Sequence, residues 1–103
     1  LVERLAVGYP VQEAAWDTIF TGWDRVAIVE WANRRLRYTV SHPMDFFVLY
    51  NPQGEAWFCA EPFGNITDSF NLREQFPRMD IGGLDLAVGE QVKAQFYLEP
   101  YFY

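Results

Sequence analysis

The chain is poor in several residue types, and each shortage narrows the reading. A single cysteine, Cys59, cannot close an internal disulfide, which excludes a disulfide-stapled secreted miniprotein. One histidine, His42, and one cysteine lie far apart in sequence, so no metal-ligand spacing is present. Basic residues are scarce: eight Lys plus Arg stand against fourteen Asp plus Glu, a formal charge of −6. A nucleic-acid module needs the opposite field, so DNA or RNA binding is disfavoured and no nucleic-acid partner is expected. No apolar run approaches the roughly eighteen residues of a membrane span. No signal-peptide pattern, repeat, low-complexity tract or linker is visible, and cytoplasmic localisation is the default expectation.

Aromatic residues, by contrast, are plentiful: nine Phe, six Tyr and four Trp in 103 residues. That richness opposes a disordered segment and predicts one packed domain or part of one. The chain opens on Leu1 rather than Met and runs from Leu1 to Val7 as a strand candidate. Two readings are open at this point: a piece of something longer, or a short chain whose start is trimmed or disordered.

The dominant period is two, the mark of half-buried strands. Val26 to Trp31 and Arg34 to Ser41 alternate across the short turn Ala32-Asn33, which predicts a hairpin. In the second run Leu36, Tyr38 and Val40 share one face. Phe46 to Tyr50 is continuously apolar, as expected of a strand covered on both sides. Asn51-Pro52-Gln53-Gly54 is turn chemistry, and Glu55 to Glu61 reads as the return strand. Gln91 to Leu98 is the last expected strand. Gly8 to Gly22 and Pro62 to Gly83 read as irregular, with one helical turn near Asn71 to Gln75. The predicted class is all-β, an antiparallel β-sandwich or part of one.

Glu61 closes a hydrophobic strand beside a long loop, with Trp57 and Cys59 on its own face. Pro62 restricts Glu61 to extended backbone and is expected to end the ladder. Such a carboxylate is placed for general-base work, whereas its bland reading is a solvated strand end. His42, in Ser41-His42-Pro43, reads as a loop residue. Arg34, Arg35 and Arg37 form the only basic cluster, and two faces of a hairpin account for it.

Three segments together resemble the C-terminal end of the aldose 1-epimerases, the galactose mutarotase family. They are Phe58-Cys59-Ala60-Glu61-Pro62, Asp68-Ser69-Phe70-Asn71-Leu72, and the run Gly82-Gly83-Leu84, Leu86, Gly89-Glu90. Upstream, Trp16-Asp17-Thr18-Ile19-Phe20-Thr21-Gly22-Trp23 resembles that family's Leu-Asp-Asp-x-Phe-x-Gly-Trp segment. The resemblance implies the last third of a β-supersandwich. It implies Glu61 as catalytic base and Asp17 as a contact to sugar hydroxyls, on an aldohexose substrate without cofactor or metal. Trp16, beside Asp17, is a candidate sugar-facing ring; the other tryptophans read as core. The family's acidic His has no counterpart here, so the 103 residues alone are expected to be inactive. A non-catalytic carbohydrate-binding module or an interaction domain are the competing readings. Uncovered strand edges predict self-association.

Overall fold

In the computed structural model the described residues are 2–103. Leu1, the start of the first expected strand, lies outside them. The order is α1 (Val2–Val7), β1 (Asp17–Thr21), β2 (Val26–Trp31), β3 (Arg34–Val40), β4 (Phe46–Tyr50), β5 (Cys59–Phe63), α2 (Ser69–Leu72), α3 (Arg78–Ile81) and β6 (Phe96–Phe102). Two three-stranded sheets result, ordered β1-β4-β5 and β2-β3-β6, and every pairing is antiparallel. The protein is therefore a mostly-β, two-sheet fold with a packed, sandwich-like arrangement.

The expected hairpin is present, with Trp31 opposite Arg34 and Val26 opposite Thr39. Several boundaries differ from expectation. Val2–Val7 is a helix, not a strand: Glu, Arg, Leu and Ala favour helix locally, and no strand pairs with it. Gly8, at φ 103, follows it directly. The supposedly irregular Gly8 to Gly22 segment contains β1, held against β4 from Asp17↔Tyr50 to Thr21↔Phe46. The return strand starts at Cys59 rather than Glu55 and continues through Pro62 to Phe63. Pro62 does not end the ladder, because β5 is an edge strand, where a missing N–H is tolerated. The last strand is Phe96–Phe102 rather than Gln91 to Leu98. The helical turn falls at Ser69–Leu72, and a second one, Arg78–Ile81, was not anticipated.

Asn51 fastens the N-terminal segment to the first sheet. Its Nδ2 donates to the carbonyls of Val11 and Ala14, both at 2.6 Å, and its Oδ1 accepts from the Trp16 N–H. Between the sheets, Tyr38 is the central contact. Its ring stacks on Phe96 at 5.8 Å and meets Phe47 at 6.4 Å, while its hydroxyl donates to the Ala60 carbonyl at 2.9 Å. Trp16, Tyr38, Val40, Phe46 and Ile81 form the buried core.

That core is small for the surface it leaves. The accessible area is 7853 Å², against about 6,000 Å² for a closed monomer of this mass. The radius of gyration is 15.5 Å, where about 13 Å is usual at this length. Much of the excess is apolar: β6 is exposed along its whole length, including Phe96, Leu98 and Phe102. Among the described residues no helix is long and apolar enough to cross a membrane.

Candidate functional site

Register places the expected site residues on one face of the first sheet. Asp17, Tyr50 and Cys59 form one cross-strand row, and Ile19, Val48 and Glu61 form the next. Asp17 and Glu61 are both exposed on that face. They stand two strands apart and one row apart, about 12 Å between backbones by sheet spacing. The two carboxylates share a face but do not touch.

Trp16 is placed differently. It is 8% exposed, its ring edge-on to Tyr9 at 5.4 Å and tilted on Phe20 at 6.1 Å. Its indole offers little area to a ligand. The accessible rings are elsewhere: Tyr50 and Trp57, 6.0 Å apart, are both exposed. Tyr50 lies between Asp17 and Cys59 in the same row. The sequence held the signal, since Trp57 precedes the motif strand, but its reading as core hid it.

Glu61 has two titratable neighbours. Partial burial, reinforced by a hydrogen bond to Glu61 and by its charge, pushes the Cys59 thiol up. Burial first, then the Glu61 carboxylate, pushes the Tyr38 phenol up from 10.0 to about 12. Both neighbours are held neutral, and Glu61 is the carboxylate they share. Glu61 itself is exposed.

The Tyr38 shift yields a prediction. Tyr38 ionises near 10.0 in the unfolded chain and near 12 in the folded one. The folded state therefore binds more protons between those values, so stability falls as pH rises through that window. The loss by its upper end is about 2–3 kcal/mol. Phenolate absorbance should show a late phase near pH 12 that Tyr38→Phe removes.

A second cluster lies between β3 and β4. The His42 Nδ1 stands 2.7 Å from the Asp45 carboxylate, and the Arg25 Nε lies 3.5 Å from the same group. These residues, with Trp23 and Met79, line a cleft of about 330 Å³. The Trp23 indole N–H is held by the Met44 carbonyl at 3.1 Å. Sequence reasoning set His42 aside as a loop residue and did not join Arg25 or Asp45 to it. The spacing of His42 and Asp45, three residues across Pro43, was the available signal.

Among the described residues, no group of three His, Cys, Asp or Glu side chains is placed to hold a metal ion. Fold and site together define a two-sheet, mostly-β protein with an acidic, aromatic-lined sheet face. No protein-family model, curated protein or solved structure matches the chain.

Proposed function

We propose that this chain is the C-terminal part of an aldose 1-epimerase-like enzyme that interconverts the α and β anomers of a free aldohexose. The observation that carries the reading is the common face of Asp17 and Glu61, flanking the exposed Tyr50–Trp57 pair. The gap between the carboxylates suits a sugar ring lying between them rather than a direct pair. Aromatic faces supply apolar area for the ring's C–H groups, and carboxylates accept from its hydroxyls.

In this reading Glu61 takes the proton from the C1 hydroxyl. An acid protonates the ring oxygen, the C1–O5 bond opens, and C1 rotates and closes on its other face. The return half reverses both proton transfers, so each group ends as it began. Asp17 positions hydroxyls, and the Tyr50–Trp57 pair takes over the platform role first assigned to Trp16. The acid comes from a His in a longer polypeptide, and the same longer sandwich would cover the apolar length of β6.

Polarimetry tests this. Within its longer polypeptide the protein should speed the decay of optical rotation of freshly dissolved α-glucose or α-galactose. Decay at the buffer rate overturns the enzyme reading. Sugar binding without acceleration would leave a carbohydrate-binding module.

A companion prediction concerns the 103 residues alone. The N–H of Tyr103 donates to the Asn33 carbonyl and the Ser41 N–H to the Gln95 carbonyl, so odd-numbered β6 residues face β3. The even-numbered ones, Phe96, Leu98 and Phe102, turn their backbone groups to a free edge. Sedimentation velocity should show concentration-dependent association, and a monodisperse monomer at every concentration would count against uncovered strands.

A further inference from the structure

Around His42 the surface is hollowed twice. The first cleft, about 330 Å³, takes Trp23, Arg25, His42, Asp45 and Met79 into its wall. The second, about 770 Å³, shares Arg25 and His42 and adds Lys93 from the segment before β6. Asp17 and Glu61 line neither of them.

The charge here runs against the rest of the molecule. The chain as a whole carries −6. Around the clefts two cations, Arg25 and Lys93, together with the His42 ring, meet one carboxylate, Asp45. Asp45 serves two of them, accepting from the His42 Nδ1–H and pairing with Arg25 at 3.5 Å. Lys93 has no ion-pair partner among the described residues. Because an ionised carboxylate only accepts, Asp45 calls for the proton on Nδ1, and Nε2 has no hydrogen-bond partner among the described residues.

Geometry supports the same conclusion. Arg25 sits at φ 65, which few residues with a side chain adopt. The conformation is held on both sides: Val26 N–H donates to Asp24 Oδ1 at 3.2 Å, and Val40 N–H to the Arg25 carbonyl at 3.0 Å. Ser41 ties the two clefts together, accepting from the Gln95 N–H at 2.9 Å and donating to the His42 carbonyl at 3.1 Å. Trp23 and Met79 give the first cleft an apolar wall beside the charged groups.

We infer that this double cleft binds the phosphate group of a small phosphate monoester. Arg25 offers a guanidinium fork and Lys93 a point charge, and the His42 Nε2 can accept from a protonated phosphate oxygen. The apolar wall takes the esterified part of the ligand. Clefts of about 330 and 770 Å³ fall in the size range of small-molecule sites. This site is separate from the Asp17–Glu61 face and does not depend on what that face does.

His42 is the only histidine, so its ring proton signals need no assignment. The test is an NMR titration of the whole chain with inorganic phosphate at constant pH and ionic strength, with acetate in parallel. Phosphate should shift the His42 signals saturably and acetate should not reach the same midpoint. Arg25→Gln and Lys93→Gln should each raise the phosphate midpoint at least fivefold. Lys93→Gln is the decisive variant, since it breaks no internal ion pair. An unchanged midpoint in Lys93→Gln, an equal acetate midpoint, or a shift that follows ionic strength alone overturns the inference.

Discussion

If the proposed function holds, Glu61→Gln made in the proposed longer polypeptide should lower the mutarotation rate by about 10²–10⁴-fold while sugar affinity changes only a few-fold. Gln keeps the shape and the hydrogen-bonding oxygen of Glu but cannot take a proton. In the proposed reading, binding through Asp17 and the Tyr50–Trp57 pair is untouched. Glu61 is exposed on an edge strand, so the change should move stability within about 0.5 kcal/mol. Unfolding is therefore not a rival explanation for lost rate. A second readout is independent of activity. The Glu61 charge helps to raise the Tyr38 phenol, so its removal should bring the late alkaline phase below pH 12. Burial is the larger cause and stays, so the phase should not return to 10.0. Full activity in Glu61→Gln, with the Tyr38 phase shifted as described, would remove Glu61 from the role of base.

The strands that sequence alone located are those whose alternation has a clear burial contrast. In β3, Tyr38 and Val40 are buried with Thr39 half-buried between them, and the turn before it is only two residues long. In β4 a continuous apolar run matches a central strand. β1 escaped because Asp17–Thr21 carries threonines on both faces and exposed residues at both ends, so its alternation has little contrast. β6 lies further along the chain than expected and runs through a proline. Pro100 reads as a strand breaker, yet it falls on the parity that faces the free edge, where no N–H is required. Pro62 on β5 was misread for the same reason. Whether a proline ends a ladder depends on which side of its strand is paired, and that is a tertiary fact.

The candidate site divides in the same way. Asp17 and Glu61 were named from local motifs, and strand parity alone brings both to one face once β1 and β5 flank β4. The role of Tyr50 and the exposure of Trp57 depend on where the segment before Cys59 runs, which no local pattern specifies. Trp16 looked available beside Asp17. It has the opposite parity, which turns it toward Phe20 and Tyr9. The Arg25–Asp45–His42 cluster joins two loops that each cross between the sheets, β1 to β2 and β3 to β4, so only the folded chain assembles it.

The largest stability effect is expected at Gly82, a residue with no chemistry of its own. It ends α3 at φ 73 and ψ −159, a region open to glycine almost alone. A bridge links it to Asn65, and the Gly83 N–H donates to the Gly64 carbonyl at 3.0 Å. A Cβ on Gly82 would meet the Gly64 carbonyl oxygen and the Phe46 ring at clashing range. Neither can yield cheaply: one is backbone, and the other is a core ring at 3% exposure. Gly82→Ala thus combines backbone strain of about 1–3 kcal/mol with overpacking of about 1–3 kcal/mol. Against a total stability of roughly 5–15 kcal/mol, that can unfold much of the population. Thermal denaturation by circular dichroism should show Tm lowered by more than about 10 °C. Gly83→Ala is the matched control, with φ 91 but open space where its Cβ would go, so it carries only the backbone part. Phe46→Leu should cost stability alone yet recover part of the Gly82→Ala loss in the double variant, because the two changes share one contact. Equal losses for Gly82→Ala and Gly83→Ala would mean that the Gly64–Gly83 segment does not press on Phe46, and that the first sheet reaches its core by another packing.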